Sequence, residues 1–364
     1  MTRTMEPIAG ADAPQHARQI GTQASLLALD WGTSSLRAYL LDAAGQTIAM
    51  RQEPWGLMQV PTVTKRQGAD AFDAAFDMIL RTWPDLPASV PVIAAGMVGS
   101  AQGWQEVPYE AVPCGLEVLG HKLLPVRTSS GREVWIVPGL REPGALPNVM
   151  RGEETQIVGA LQVLRQALQK TLPQVPEPHA PLFKSPNERT LLGLPGSHSK
   201  WALLEKDAQG KDVLVHFDTF MTGEAFSALG NHTILARTSR PAANDEAAFT
   251  RGVVTALSPT SKGVLATIFS CRTLSLSGEL TPEQQSDYLS GLLIGAEIAG
   301  MRDVLTGNPS QPLQIALIGD PDLCRRYLLA LRLAGVTDTV PVIEQATQAG
   351  LWQLAGVAGL VAAR

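Results

Sequence analysis

Two polar turns of similar make-up stand far apart in this chain, each between an apolar run and an alternating one. In the first, the apolar residues 26–29 lead into Asp30-Trp31-Gly32-Thr33-Ser34-Ser35, and residues 36–41 follow. In the second, residues 191–194 lead into Pro195-Gly196-Ser197-His198-Ser199-Lys200, and residues 201–204 follow. Each pattern predicts two strands joined by a polar turn. Asp42-Ala43-Ala44-Gly45 and Asp207-Ala208-Gln209-Gly210 then supply a further turn in each case, and residues 48–51 a third strand after the first. With one gap beside Asp30, Gly32 aligns with Gly196, Ser35 with Ser199, Ala38 with Ala202 and Leu40 with Leu204. Any two hairpins share turn glycines. The repeated polar turn is what favours an internal duplication.

A duplication needs room, and 364 residues suffice for two lobes with a core each. Hydrophobic residues make up 45% and charged residues 17%, which predicts a folded chain rather than a disordered one. The formal net charge of -5 and the lack of a basic run argue against nucleic-acid binding. Cys114, Cys271 and Cys324 are too scattered for a disulfide framework or a zinc site, which fits a reducing, cytoplasmic setting. Residues 1–24 read as a flexible tail without the apolar stretch of a signal peptide, and no apolar run is long enough to span a bilayer. The expected plan is a first lobe over residues 25–170, a proline-rich linker or insertion around 171–189 and a second lobe over 190–364. Oligomeric state is not legible, which leaves a homodimer open.

Other elements place the remaining motifs. Residues 90–95 predict a buried strand running into the glycine-containing loop 96–100. Ile157, Leu161, Leu164 and Leu168 recur at helical spacing, in a helix that starts near Glu153. Thr281-Pro282 marks a second helix start, with Thr as cap. Residues 313–318 predict a strand, Gly319-Asp320 a turn and residues 321–333 a helix.

A hairpin turn of the form Asp-x-Gly-Thr exposes successive backbone N–H groups, and its glycine lets the main chain approach a phosphate. Asp30 suits a water-mediated hold on magnesium, Thr33 and Ser34 suit hydrogen bonds to terminal phosphates, and Arg37 suits offsetting charge during phosphoryl transfer. A plain turn accounts for those four residues equally well. A second such turn, with Gly196, Ser197, His198, Ser199 and Lys200, allows a polyphosphate to be gripped from two sides; His198 could equally be a surface histidine.

Beyond these turns, the segment DWGTSSLR (30–37) resembles the first phosphate loop of the actin-like sugar kinases. The ordered set AGMVGSAQGW (95–104), PNVMRGEETQIVGAL (147–161), LPGSHSKW (194–201), FMTGEAFSALGNHTILAR (220–237), YLSGLLIGAE (288–297) and ALIGD (316–320) resembles the 2-dehydro-3-deoxygalactonokinase family over roughly residues 25–360. Each motif is modest alone; their order is specific. The resemblance implies transfer of the ATP γ-phosphate, with Mg2+, to the 6-hydroxyl of 2-dehydro-3-deoxy-D-galactonate.

In related sugar kinases an aspartate after a glycine, at a helix start in the first lobe, takes the hydroxyl proton. Here Glu153 follows Gly152, with Glu154 adjacent, and the choice between them stays open with Glu153 favoured. Acidic residues in a helix's first turn also simply complement its dipole. By resemblance Gly319 and Asp320 mark the adenosine turn, although Asp320 could do no more than cap its helix. Arg141 and Arg151 are candidate partners for the substrate carboxylate. Gly96, Met97 and Ser100 are expected to shape the sugar pocket, and Trp104 either stacks there or fills core. Thr222, Gly223 and Glu224 carry no derivable chemistry beyond a helix cap.

The expected fold is therefore α/β: a two-lobed actin-like ATPase of ribonuclease H-like lobes, each a mixed sheet flanked by helices, with the active site in the interlobe cleft. Its partners are ATP and a small sugar acid, with no nucleic acid and no membrane. The alternatives are a kinase for another sugar acid such as 2-dehydro-3-deoxygluconate, a phosphohydrolase, or a nucleotide-switch protein.

Overall fold

A computed structural model describes residues 21–171, 189–240, 242, 244–258, 260–306 and 312–362. Most of the expected tail and nearly all of the proline-rich segment lie outside these residues. The chain forms two compact units.

In the first unit the apolar runs become β1 (Leu26–Trp31), β2 (Leu36–Leu41) and β3 (Thr47–Glu53), followed by helix α1 (Gly68–Leu80) and strand β4 (Val92–Ala95). Strands β5 (Leu124–Arg127) and β6 (Glu133–Ile136) complete the sheet, in the order β3-β2-β1-β4-β6-β5. β1, β2 and β3 pair antiparallel as a meander, while β4 runs parallel to β1 and β6 parallel to β4. β1 is buried along nearly its whole length, as a central strand covered on both faces must be. Trp31, Phe72, Phe76 and Trp104 anchor the core of this unit. Helix α2 (Glu153–Thr171) starts at the expected glutamate.

The second unit repeats the plan. β7 (Arg189–Leu194), β8 (Ser199–Lys206) and β9 (Asp212–Phe220) form the meander, and β10 (Leu313–Ile318) and β11 (Val342–Ile343) extend it in the order β11-β10-β7-β8-β9. β10 runs parallel to β7, and β11 to β10. The helices are α3 (Thr222–His232), α4 (Glu246–Leu257), α5 (Gln284–Gly300) and α6 (Pro321–Leu333). Thr281 and Gln284 exchange side-chain to backbone hydrogen bonds of 3.0 and 3.4 Å, a capping box that explains the start signal at Thr281 although the helix proper begins at Gln284.

The duplication extends to register. Leu29 faces Ala38 in the first hairpin, and Leu192 faces Ala202 in the second. One position on, Asp30 faces Arg37 while Gly193 faces Trp201, so a charged pair in one unit is replaced by a glycine and an aromatic ring in the other. An added Cβ at Gly193 would lie 2.8 Å from that ring. Two mixed sheets of this order, each flanked by helices, are the actin-like α/β fold expected from sequence.

One boundary differs from expectation. The second unit ends at Glu344, and the chain from Gln345 onward belongs to the first. Its helix α7 (Ala346–Val357) buries Leu351 and Leu354 there. The reason is contact at the backbone: an added Cβ at Gly159 would lie 1.8 Å from the Ala346 carbonyl oxygen, and one at Gly350 would lie 1.9 Å from that of Thr155. Only glycines let α2 and α7 touch this closely.

Candidate active site

The first polar turn closes with the Gly32 amide donating to the Ser35 carbonyl at 3.0 Å and leaves Thr33 and Ser34 exposed. A segment that sequence reading passed over supports it. Leu57 donates to the Gly32 carbonyl at 3.0 Å, Trp31 Nε1 donates to the Trp55 carbonyl at 2.7 Å, and an added Cβ at Gly56 would lie 2.1 Å from the Thr33 carbonyl oxygen. At the base of the turn Arg37 Nη1 lies 3.2 Å from Asp30 Oδ2. Burial raises the Asp30 carboxyl above its ordinary value, opposed by the Arg37 charge and hydrogen bond.

Two glycines bring the other first-unit elements to the end of β1. Gly96, after β4, has φ +95°, and an added Cβ there would lie 2.7 Å from the Trp31 carbonyl oxygen. Gly152, at φ +112°, would place a Cβ 3.4 Å from the Gly96 Cα. Both conformations are ones that side chains rarely adopt. The start of α2 is thereby set against the loop that follows β4. Glu153 is half-buried and accepts from the Arg151 amide at 3.1 Å. Glu154 is 0% exposed, and its carboxylate accepts from the Gly152 amide at 2.6 Å and from the Thr155 hydroxyl at 3.1 Å.

The remaining first-unit candidates divide. Of the two readings open for Trp104 the structure gives the second: it packs with Trp31, Phe72 and Phe76 at centroid distances of 5.7 to 6.5 Å, so its ring fills core. Met97 packs against the same core, and the Ser100 hydroxyl donates to the Met97 carbonyl at 2.8 Å. Arg141 is exposed on the strand Leu140–Glu142. Arg151 is 8% exposed; it donates to the Val107 carbonyl at 2.7 Å and lies 4.2 Å over the Tyr109 ring, while its Nε and Nη1 have no partner among the described residues.

In the second unit Gly196, Ser197 and His198 form the turn, the last two exposed. The start of α3 braces it: the Glu224 amide donates to the Ser197 carbonyl at 3.0 Å, Glu224 pairs with His198, and an added Cβ at Gly223 would lie 2.5 Å from the Gly196 carbonyl oxygen. The stretch that carried no derivable chemistry is thus the second turn's support. Ser199 and Lys200 are turned inward: Ser199 Oγ lies 2.8 Å from the Tyr327 hydroxyl, and Lys200 Nζ donates to Thr219 at 2.7 Å. Neither side chain is presented beside Ser197, because β8 begins at Ser199 and is covered on both faces.

Beside this turn opens a cavity of about 430 Å³, lined among others by Gly196, Ser197, Phe226, Leu293, Arg326 and Tyr327. Its walls are mainly apolar, with few polar groups, as in cofactor sites generally. Arg326 is held there by the fully buried Asp287 at 2.6 Å. Gly319 adjoins the turn from the other side, at φ +141°, with an added Cβ 3.6 Å from the Pro195 carbonyl oxygen. Asp320 caps α6, accepting from the Asp322 and Leu323 amides at 3.0 Å each.

A family model described as 2-keto-3-deoxy-galactonokinase matches residues 30–354. The chain belongs to that family. Escherichia coli (strain K12) 2-dehydro-3-deoxygalactonokinase is 34% identical over 333 residues, covering 91% of this chain and 98% of the relative. A Rhizobium meliloti (strain 1021) relative named for the same kinase is 33% identical, over 89% of this chain and 94% of its own length. A crystal structure from Sinorhizobium meliloti, described under the same kinase name, superposes with a TM-score of 0.74 at 30% identity, covering 91% of this chain and 98% of that one.

In this 2-keto-3-deoxy-galactonokinase family chain, one first-unit cluster joins Asp30, Gly32, Arg37, Gly96, Gly152 and Glu153, and one second-unit cluster joins Gly196, Ser197, His198 and Gly319. Gly56, Asp287, Arg326 and Tyr327 escaped sequence reading. The glycine at position 56 lies in a Pro-Trp-Gly segment that reads as an ordinary turn after β3, and the others mark helices that read as plain packing. No helix among the described residues is long and apolar enough to cross a membrane.

Proposed function

We propose that this protein is a cytoplasmic ATP-dependent kinase that phosphorylates the 6-hydroxyl of 2-dehydro-3-deoxy-D-galactonate to 2-dehydro-3-deoxy-6-phosphogalactonate. Membership of the family supports the chemistry. The observation that carries it is the backbone convergence of Gly96 and Gly152 at the end of β1, which sets a half-buried carboxylate, Glu153, at a helix start within the unit that holds Asp30 and the first turn.

In this reading the substrate hydroxyl oxygen bonds to the γ-phosphorus as the bond to the ADP oxygen breaks, and the hydroxyl proton passes to Glu153. Glu153 rather than Glu154 takes it, because Glu154 is fully enclosed while Glu153 is only half-buried. The amides of Thr33 and Ser34 are suited to ATP phosphates, and so, in the second unit's own turn, are those of Gly196, Ser197 and His198. Arg37 offsets developing negative charge. The 430 Å³ cavity, with Gly319 nearby, takes the nucleoside.

Among the described residues no three or more metal-type side chains cluster. A lone carboxylate beside an amide turn fits magnesium, which keeps waters and takes its other ligands from phosphates. Asp30 would hold it, and the ion would supply charge neutralisation. Arg151, buried with two unpartnered nitrogens, is the stronger of the two arginines for the substrate carboxylate.

The test is a coupled assay with both epimeric acids and a Glu153→Gln variant. Expected are a preference for the galacto acid over 2-dehydro-3-deoxygluconate and, in the variant, undiminished ATP binding with turnover down roughly 10²- to 10⁴-fold. Near-normal turnover would remove Glu153 from the role. Phosphate release without an acceptor would make the protein a hydrolase.

A further inference from the structure

Beneath the second polar turn lies a carboxylate remote from solvent. Glu297, on α5, is 2% exposed. Its Oε1 accepts from Trp201 Nε1 at 2.7 Å; its Oε2 accepts from the Tyr327 hydroxyl at 2.8 Å and from the Thr222 hydroxyl. Since the single Tyr327 proton goes to Glu297, the Ser199 hydroxyl donates to Tyr327 at 2.8 Å. One buried acid thereby collects four side chains from three elements: Ser199 and Trp201 on β8, Thr222 at the start of α3 and Tyr327 on α6.

These are the elements that frame residues 196–198. Ser199 follows the turn directly, and Thr222 precedes Gly223, whose backbone abuts the Gly196 carbonyl. Thr222 and Tyr327 also line the 430 Å³ cavity, yet their hydroxyls are turned to Glu297. A purely apolar core at this place would pack as well without the cost of enclosing an acid. The acid's distinctive property is directional: it fixes three donors at once, with Ser199 tied in through Tyr327, and with them the turn.

We propose that Glu297 is a positioning residue for the second polar turn, holding the Gly196–His198 amides in the geometry that accepts nucleotide phosphates. This rests on the reading of that turn as part of an ATP site. It never touches the nucleotide or the sugar acid. Removing one link should therefore weaken ATP binding selectively.

The experiment measures ATP dissociation constants calorimetrically, KM for both substrates and thermal midpoints in Tyr327→Phe, Thr222→Val and Glu297→Gln. Tyr327→Phe and Thr222→Val each remove one hydroxyl at nearly constant shape. Each is expected to raise the ATP dissociation constant and KM about tenfold, the worth of one hydrogen bond to a charged group, with KM for the sugar acid within about twofold. The double variant Thr222→Val/Glu297→Gln should lose less than the two single losses combined. Equal effects on both substrates, unchanged ATP affinity in both hydroxyl variants, or losses that follow the thermal midpoint alone would overturn the proposal. If the unaltered protein binds no ATP, the ATP reading itself fails, and the proposal with it.

Discussion

Burial, followed by the charge of adjacent Glu153, pushes the Glu154 carboxyl from an ordinary 4.5 up to about 7. The folded state therefore prefers this group protonated. Its contribution to stability is complete below pH 4.5 and is lost as pH rises through about 7, at a cost of roughly 3 kcal/mol. Burial raises Asp30 and Glu297 in the same direction. Stability measured by denaturant should fall across that window, and Glu154→Gln should flatten the fall; an unaltered slope would mean that Glu154 does not titrate there. At this scale the sequence was informative wherever chemistry is local. Asp30, Gly32 and Glu153 announce themselves through turn glycines and a helix start. Ser199 and Lys200 carry the same kind of polarity but face inward, and Trp104 sits in a glycine-rich loop yet packs in the core. Polarity and ring size do not reveal direction.

Among elements, the first turn depends on a neighbour that no periodicity discloses. A methyl group at Gly56 would meet the Thr33 carbonyl oxygen at 2.1 Å, so Gly56→Ala must move either the turn or the segment behind it. It is expected to destabilise by about 1–3 kcal/mol and to weaken ATP binding, read by thermal melts and calorimetry. Gly230, inside α3, is the contrast, since an added Cβ there meets nothing within 4 Å. Gly230→Ala should stabilise by roughly 0.5–1 kcal/mol, as for a helix-interior glycine with open space at its Cβ. The meanders and the helix starts were readable because alternation and capping are short-range signals. The glycines of YLSGLLIGAE, by contrast, look like poor helix formers until their contacts are known. An added Cβ at Gly291 would lie 2.0 Å from the Phe249 carbonyl oxygen, and Gly252 meets Tyr288 in the same way, which lets α5 and α4 press backbone to backbone.

For the molecule as a whole, the duplication was visible in sequence because it is written twice in the same order. The return of the chain to its first unit was not, because nothing in the apolar pattern of α7 says which core it serves and only its contacts assign it. Truncation after Glu344 removes α7 from α2 and exposes the face against which Leu351 and Leu354 pack. Hydrogen exchange on that truncated chain should show protection lost across β1 to β6 and kept across β7 to β11. Loss across both units alike would mean that they do not fold separately.

That route also sets a schedule for synthesis. A ribosome finishes residues 168–344 before it has made residue 346, so the unit begun first is closed last. Until then the nascent protein carries an open apolar seat on α2, awaiting a helix still inside the exit tunnel.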